Sequence, residues 1–202
     1  VSPVYKFSNV GGFLTKNLYT SALAGNTAVV NDKGSMYPLG VFTLASAQAT
    51  VEFTNIPQTY KHLQIRVLSR DDRAAAANGV TYRLNGDTGS NYSYHILAGD
   101  GSNASAAAVT SANVTYGMIQ TSASTTSNIF TAAIIDILDY SNTNKNTTIR
   151  TLQGYDSNGS GHMRLNSGLW MNTAAVTSFR MIPDASANFI ANSTFALYGI
   201  QA

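Results

Sequence analysis

From Val41 onward, apolar side chains recur at every second position in short runs, and Gly, Asn, Asp, Ser or Pro separates one run from the next. A period of two marks a strand with one face in a core and the other in water. In "KHLQIRVLS", Leu63, Ile65 and Val67 fall on one side, with His62, Gln64 and Arg66 on the other. "ATVEFTNI" alternates and ends before Pro57. "VTYRL" and "YSYHILA" flank "NGDTGSN", which reads as a hairpin or a longer ordered loop. "VTYGMIQT", "NIFTAAIIDILDY", "TTIRTLQGY", "HMRLNSGLWM", "VTSFRMI" and "STFALYGI" complete the series. A series of about eight to ten short strands predicts an all-β fold, an antiparallel β-sandwich of jelly-roll type over residues 41–202.

Two runs are apolar on both parities. In "IIDILDY", Ile135 and Ile137 oppose Ile134 and Leu138, the pattern of a central strand buried on both faces. In "STFALYGI", Phe195 and Leu197 alternate with Ala196, Tyr198 and Ile200, which predicts a paired strand and not a free end. "GDGSNASAAAVTSAN" and "YDSNGSG" show no helical period and read as polar surface loops.

Residues 1–40 have a different texture. Phe13, Leu14, Leu18, Tyr19 and Leu23 are scattered among glycines and turn formers, and "LTKNLYTSALAG" has the makings of a short helix capped by Gly25. This region reads as an extended N-terminal arm ahead of the sandwich. Those five residues are the expected assembly anchors, with Val29 and Val30 as further candidates. An arm that is marginal alone can order on a neighbour, and arm exchange between identical subunits is a ready route to an oligomer.

Charge narrows the partners. Only 11% of residues are charged, against about 25% in ordinary globular proteins. Ala, Ser, Thr, Asn and Gly take the place of charge, and Glu52 is the single glutamate. The net charge is +2, and Asp71 and Asp72 dilute the nearest thing to a basic cluster, Lys61, Arg66, Arg70 and Arg73. A phosphate-tracking stripe is therefore not expected, and neither is nucleic-acid binding. No apolar run approaches the length of a membrane helix. The absence of cysteine excludes disulfides and cysteine-ligated zinc.

Catalytic motifs are thin. "DTGS", Asp87 to Ser90, resembles an aspartic-protease signature, but it follows an Asn-Gly turn signal and occurs once, so a dyad would need a symmetric dimer. His62, His95 and His162 are the only histidines, and no Gly-x-Ser-x-Gly elbow accompanies them. "DSNGSG" opens like a calcium loop but has no closing carboxylate. No catalytic residue, metal site or cofactor is expected. Among Tyr92, Tyr94, Tyr116, Tyr155 and Trp170, the aromatics that could stack on a sugar, Tyr92 and Trp170 are the candidate glycan-binding residues.

Three phrases, "VEFTNIPQTYKHLQIRVLSRDD", "YRLNGDTGSNYSYHIL" and "FRMIPDASANFIANSTFALYGI", resemble β-sandwich structural proteins of tailed bacteriophages, especially those of cyanobacterial and aquatic phages. "TKNLYTSALAGNTA" is similar to the segment such proteins often carry ahead of the sandwich. The resemblance implies a non-enzymatic virion protein, made in the host cytoplasm and placed on the particle exterior. A capsid decoration (cement) subunit is the first expectation, and a tail-associated or fibre module binding host glycans is the second. The implied partners are further copies of the chain, for example in a trimer, and other virion proteins such as the major capsid protein.

Overall fold

The computed structural model describes residues 35–201, so Phe13, Leu14, Leu18, Tyr19 and Leu23 lie outside the described residues. The sandwich is a compact unit that begins at Met36. Residues 36–40, placed with the arm by their sequence, belong instead to its first strand.

Twelve strands form two antiparallel sheets. In chain order they are β1 (Met36–Thr43), β2 (Val51–Phe53), β3 (His62–Ser69), β4 (Ala77–Leu84), β5 (Tyr92–Gly99) and β6 (Ala104–Ala112). They continue with β7 (Thr115–Thr121), β8 (Thr131–Leu138), β9 (Thr147–Asp156), β10 (Gly161–Trp170), β11 (Phe179–Pro183) and β12 (Thr194–Ile200). The larger sheet has eight strands in the order β1-β12-β3-β8-β9-β10-β5-β6, and the smaller has four, β2-β11-β4-β7.

The order has a simple origin. With the β5–β6 and β9–β10 hairpins set aside, the remaining strands pair first with last: β1 with β12, β2 with β11, β3 with β8, and β4 with β7. These pairs fall alternately in the two sheets, as a long antiparallel ribbon wrapped around a core requires. That is the jelly-roll topology. The two hairpins are insertions, and both extend the larger sheet beyond β8.

The core lies between the sheets. Phe195 packs with Phe42 and Phe189, at ring centroid distances of 5.8 and 5.0 Å, and Tyr82 with Phe179 at 5.0 Å. Each such pair adds about 0.5–1.5 kcal/mol beyond its buried area. Leu63, Ile65 and Val67 of β3 are buried, as their alternation predicts. β12 lies between β1 and β3, so the apolar run near the end of the chain is a strand paired on both sides.

One expectation changes and two are narrowed. "NGDTGSN" does not close a hairpin: β4 belongs to the smaller sheet and β5 to the larger, so the loop passes between sheets. Its turn is nonetheless of the kind expected, with Asn85 and Gly86 at positive φ. "ASAAAVTSA" is not a loop but β6, an edge strand whose backbone pairs with β5 while its small side chains stay exposed. "YDSNGSG" holds a tight turn that closes the β9–β10 hairpin, with Asn158 and Gly159 at positive φ.

Candidate interaction face

Several of the residues singled out for chemistry are tied into the fold. Trp170 is 1% exposed and Tyr92 is fully buried, and their rings stack at 6.5 Å. Neither offers a face to a sugar, which corrects the expectation of a glycan platform at these two positions. Alternation placed both on the inner side of the larger sheet, where aromatics fill the core. Burial also pushes the Tyr92 phenol up to about 12.

Asp87 lies beneath that pair. Its carboxylate accepts hydrogen bonds from Trp170 Nε1 at 2.7 Å, Asn91 Nδ2 at 2.9 Å and Gly89 N at 2.8 Å. The indole donor, then the Asn91 amide, holds its pKa below the usual value. "DTGS" is thus a loop clasp. Asp156 likewise accepts from Asn158 N at 2.7 Å within its own turn. No group of three or more metal-ligating side chains occurs among the described residues.

The histidines and basic residues are dispersed. His62 Nδ1 accepts from Asp139 N at 3.0 Å, His95 is exposed on β5, and His162 stacks on Tyr155 at 6.4 Å. Lys61 pairs with Asp139 at 2.8 Å. Arg73 donates to Asn78 Oδ1 at 2.8 Å, while Arg66 lies over the Tyr198 ring. Arg70 is buried and donates to the carbonyls of Ala123, Thr125, Thr126 and Ile129.

The outer face of the larger sheet is different. Of the ten exposed large apolar residues among those described, Val41, Leu68, Leu97, Ile134, Leu138, Leu152, Met163 and Leu165 point outward from it. Register draws the central ones into a single row. Val41 lies opposite Ala196, Ala196 opposite Arg66, and Arg66 opposite Ile134. Ile134 lies opposite Leu152, Leu152 opposite Leu165, Leu165 opposite Leu97, and Leu97 opposite Ala106. One cross-strand row therefore crosses all eight strands, and Arg66 is its only polar member. Leu152 is 52% exposed and Leu97 57%, so nothing among the described residues covers them.

Polar groups on this face satisfy one another. Arg66 Nε donates to Gln64 Oε1 at 3.1 Å, and Gln64 Nε2 donates to Asp136 Oδ1 at 3.0 Å. Arg150 Nη2 reaches Asp136 Oδ2 at 2.9 Å. Beside this chain lies a shallow groove of about 640 Å³, lined by Val41, Arg66, Leu68, Ile134, Leu152 and Met163. The expectation that β8 is buried on both faces is therefore half met: Ile135 and Ile137 are buried, whereas Ile134 and Leu138 face outward and uncovered.

Alternation at single strands could have shown which residues face out, but not that the outward apolar ones share a row. Exposed apolar patches commonly mark contact surfaces, which makes this face the candidate. No protein-family model, no curated protein and no solved structure matches the chain.

Proposed function

We propose that the chain is a non-enzymatic structural subunit of a tailed-bacteriophage particle, in the first place a capsid decoration (cement) protein on the particle exterior. The observation that carries this reading is the uncovered apolar row across the larger sheet. Apolar surface of that extent favours a permanent neighbour, at about 25 cal/mol for each Å² removed from water. Sequence resemblance to phage virion proteins supports it, and so does the jelly-roll topology, which capsid proteins share with lectins and cupins. The fold by itself does not select among those roles.

In this reading the protein joins further copies of itself and the major capsid protein, with residues 1–34 as the docking arm. The alternative, a tail-associated module that binds host glycans, loses its two proposed aromatic platforms to the core.

The test is addition of the purified chain to particles that lack it, compared with a chain deleted through Ser35, just ahead of β1. The expected result is saturable binding by the full chain and loss of binding by a truncated chain that still melts cooperatively. Full occupancy by the truncated chain would remove the arm from the proposal. No binding by either form, to capsid or tail, would remove the virion reading.

A further inference from the structure

The outer face carries a pattern beyond its apolarity. The strand order places four strands on each side of the boundary between β8 and β9. A two-fold axis running along the strands at that boundary, in the plane of contact, returns each cross-strand row to itself with its order reversed. The residues then meet partners that fit. Ile134 faces the partner's Leu152, and Leu68 faces the partner's Met163. Ala196 faces the partner's Leu97, a small residue against a large one. Asp136 faces the partner's Arg150, so the two ion pairs form a square of alternating charge.

We propose that this face packs against the same face of a second copy about that axis, and that the protein is a sheet-to-sheet dimer. The proposal rests on the reading of the face as an assembly surface, and not on the virion assignment. Charge distinguishes this axis from one perpendicular to the strands. An axis along the row, perpendicular to the strands, would lay Asp136 and Arg150 over the row of Leu68, Ala132, Gly154 and Met163. That would press a charged pair against an apolar strip, with no opposite charge to meet it. The strand-parallel axis instead brings these unlike charges together and lays the central row on itself, with Arg66 meeting the partner's Leu165 as the one charged residue against an apolar one.

Size agrees with a second copy. Eight strands about 4.8 Å apart, each about 26 Å long, present about 1,000 Å². Two such faces bury at most about 2,000 Å² in all, the upper end of the standard range for stable specific interfaces. Sheets stacked face to face keep their strands within about 30° of one another, so contacts near the axis are the most exact.

The sequence contains no cysteine, which makes the register testable by introduced thiols. The full chain should sediment as a dimer at about 50 µM, far above the affinities that interfaces of this size commonly reach. Ile134→Glu should raise the dissociation constant at least about tenfold while the chain still melts cooperatively, since the residue is exposed in the single chain. Asp136→Arg should weaken the dimer, and adding Arg150→Asp should restore it. Equimolar Ile134→Cys and Leu152→Cys chains, treated with a short bis-maleimide, should yield mainly mixed cross-linked dimers.

A monomer at that concentration would overturn the proposal. So would a dimer indifferent to Ile134→Glu, or cross-links that favour like with like. A monomer whose Leu152→Cys thiol resists maleimide would instead place another segment on the face. A dimer that never joins particles leaves this inference standing and removes the virion reading, whereas a monomer found on particles does the reverse.

Discussion

Trp170 Nε1 donates a 2.7 Å hydrogen bond to Asp87 Oδ2 across 83 residues of sequence, joining the end of β10 to the loop that carries the chain from one sheet to the other. The buried indole and the loop carboxylate thus stabilise each other.

Trp170→Phe keeps most of the apolar volume and removes the donor. Hydrogen bonds to charged groups contribute about 1.5–3 kcal/mol. Asp87 keeps Asn91 and Gly89 as donors, so the expected loss lies near the low end, about 1–2 kcal/mol. Urea denaturation should show a lower midpoint with an unchanged slope.

Asp87 also sets a pH dependence. Its folded pKa lies below the ordinary 3.8, first through the indole bond and then through Asn91. The carboxylate therefore contributes stability above pH 3.8, which is lost as pH falls through the lower folded value. Asp72 and Asp139 are depressed in the same sense, Asp72 by Asn188 and Asp139, to about 2, by Lys145 and Lys61. Asp87→Asn should lower stability at pH 7 and shrink the difference between pH 7 and pH 3, read as urea midpoints at each pH.

Arg70 holds the segment between β7 and β8. Its guanidinium donates to four carbonyls between Ala123 and Ile129, at 2.7 to 3.3 Å. A lysine has neither the fork nor enough donors to reach all four. Arg70→Lys should cost about 2 kcal/mol and speed amide hydrogen exchange in residues 121–130, with β3 left protected.

Gly117 on β7 lies against the buried ring of Tyr82, where an added methyl group would overlap the ring atoms. That ring has no room to retreat, because it also packs on Phe179. Gly117→Ala should destabilise by about 1–3 kcal/mol, the usual cost of overpacking, seen as a lower melting temperature.

Phe195 is fully buried between Phe42 and Phe189. Phe195→Ala should cost about 3–5 kcal/mol, and Phe195→Asp, which puts a charge in the same place, should leave no cooperative unfolding transition by circular dichroism. A folded Phe195→Asp chain would refute the closing-strand arrangement.

Much of the fold could be read directly. The alternation of Leu63, Ile65 and Val67 predicted the inner face of β3, and that of Phe195 and Leu197 predicted β12. β6 was missed because five of its nine residues are alanine, which has little strand preference and creates no alternation. β1 was cut short because regular alternation begins only at Val41; ahead of it Pro38 and Gly40 flank a bulge, which an edge strand accommodates. Tyr92 and Trp170 looked available to a ligand because composition does not say which way a strand residue points.

By itself, the sequence determined the local periodicity, and with it the all-β class, the turn positions and the inward residues of most strands. Those depend on neighbours one or two positions away. Which strands lie side by side was decided only by the tertiary structure, because register joins residues far apart in the chain. Ile134, Leu152, Leu165 and Leu97 come from four separate runs, each contributing one outward apolar residue. Pairing β8, β9, β10 and β5 in that order sets the four in one row, and the exposed apolar face exists only once they are there.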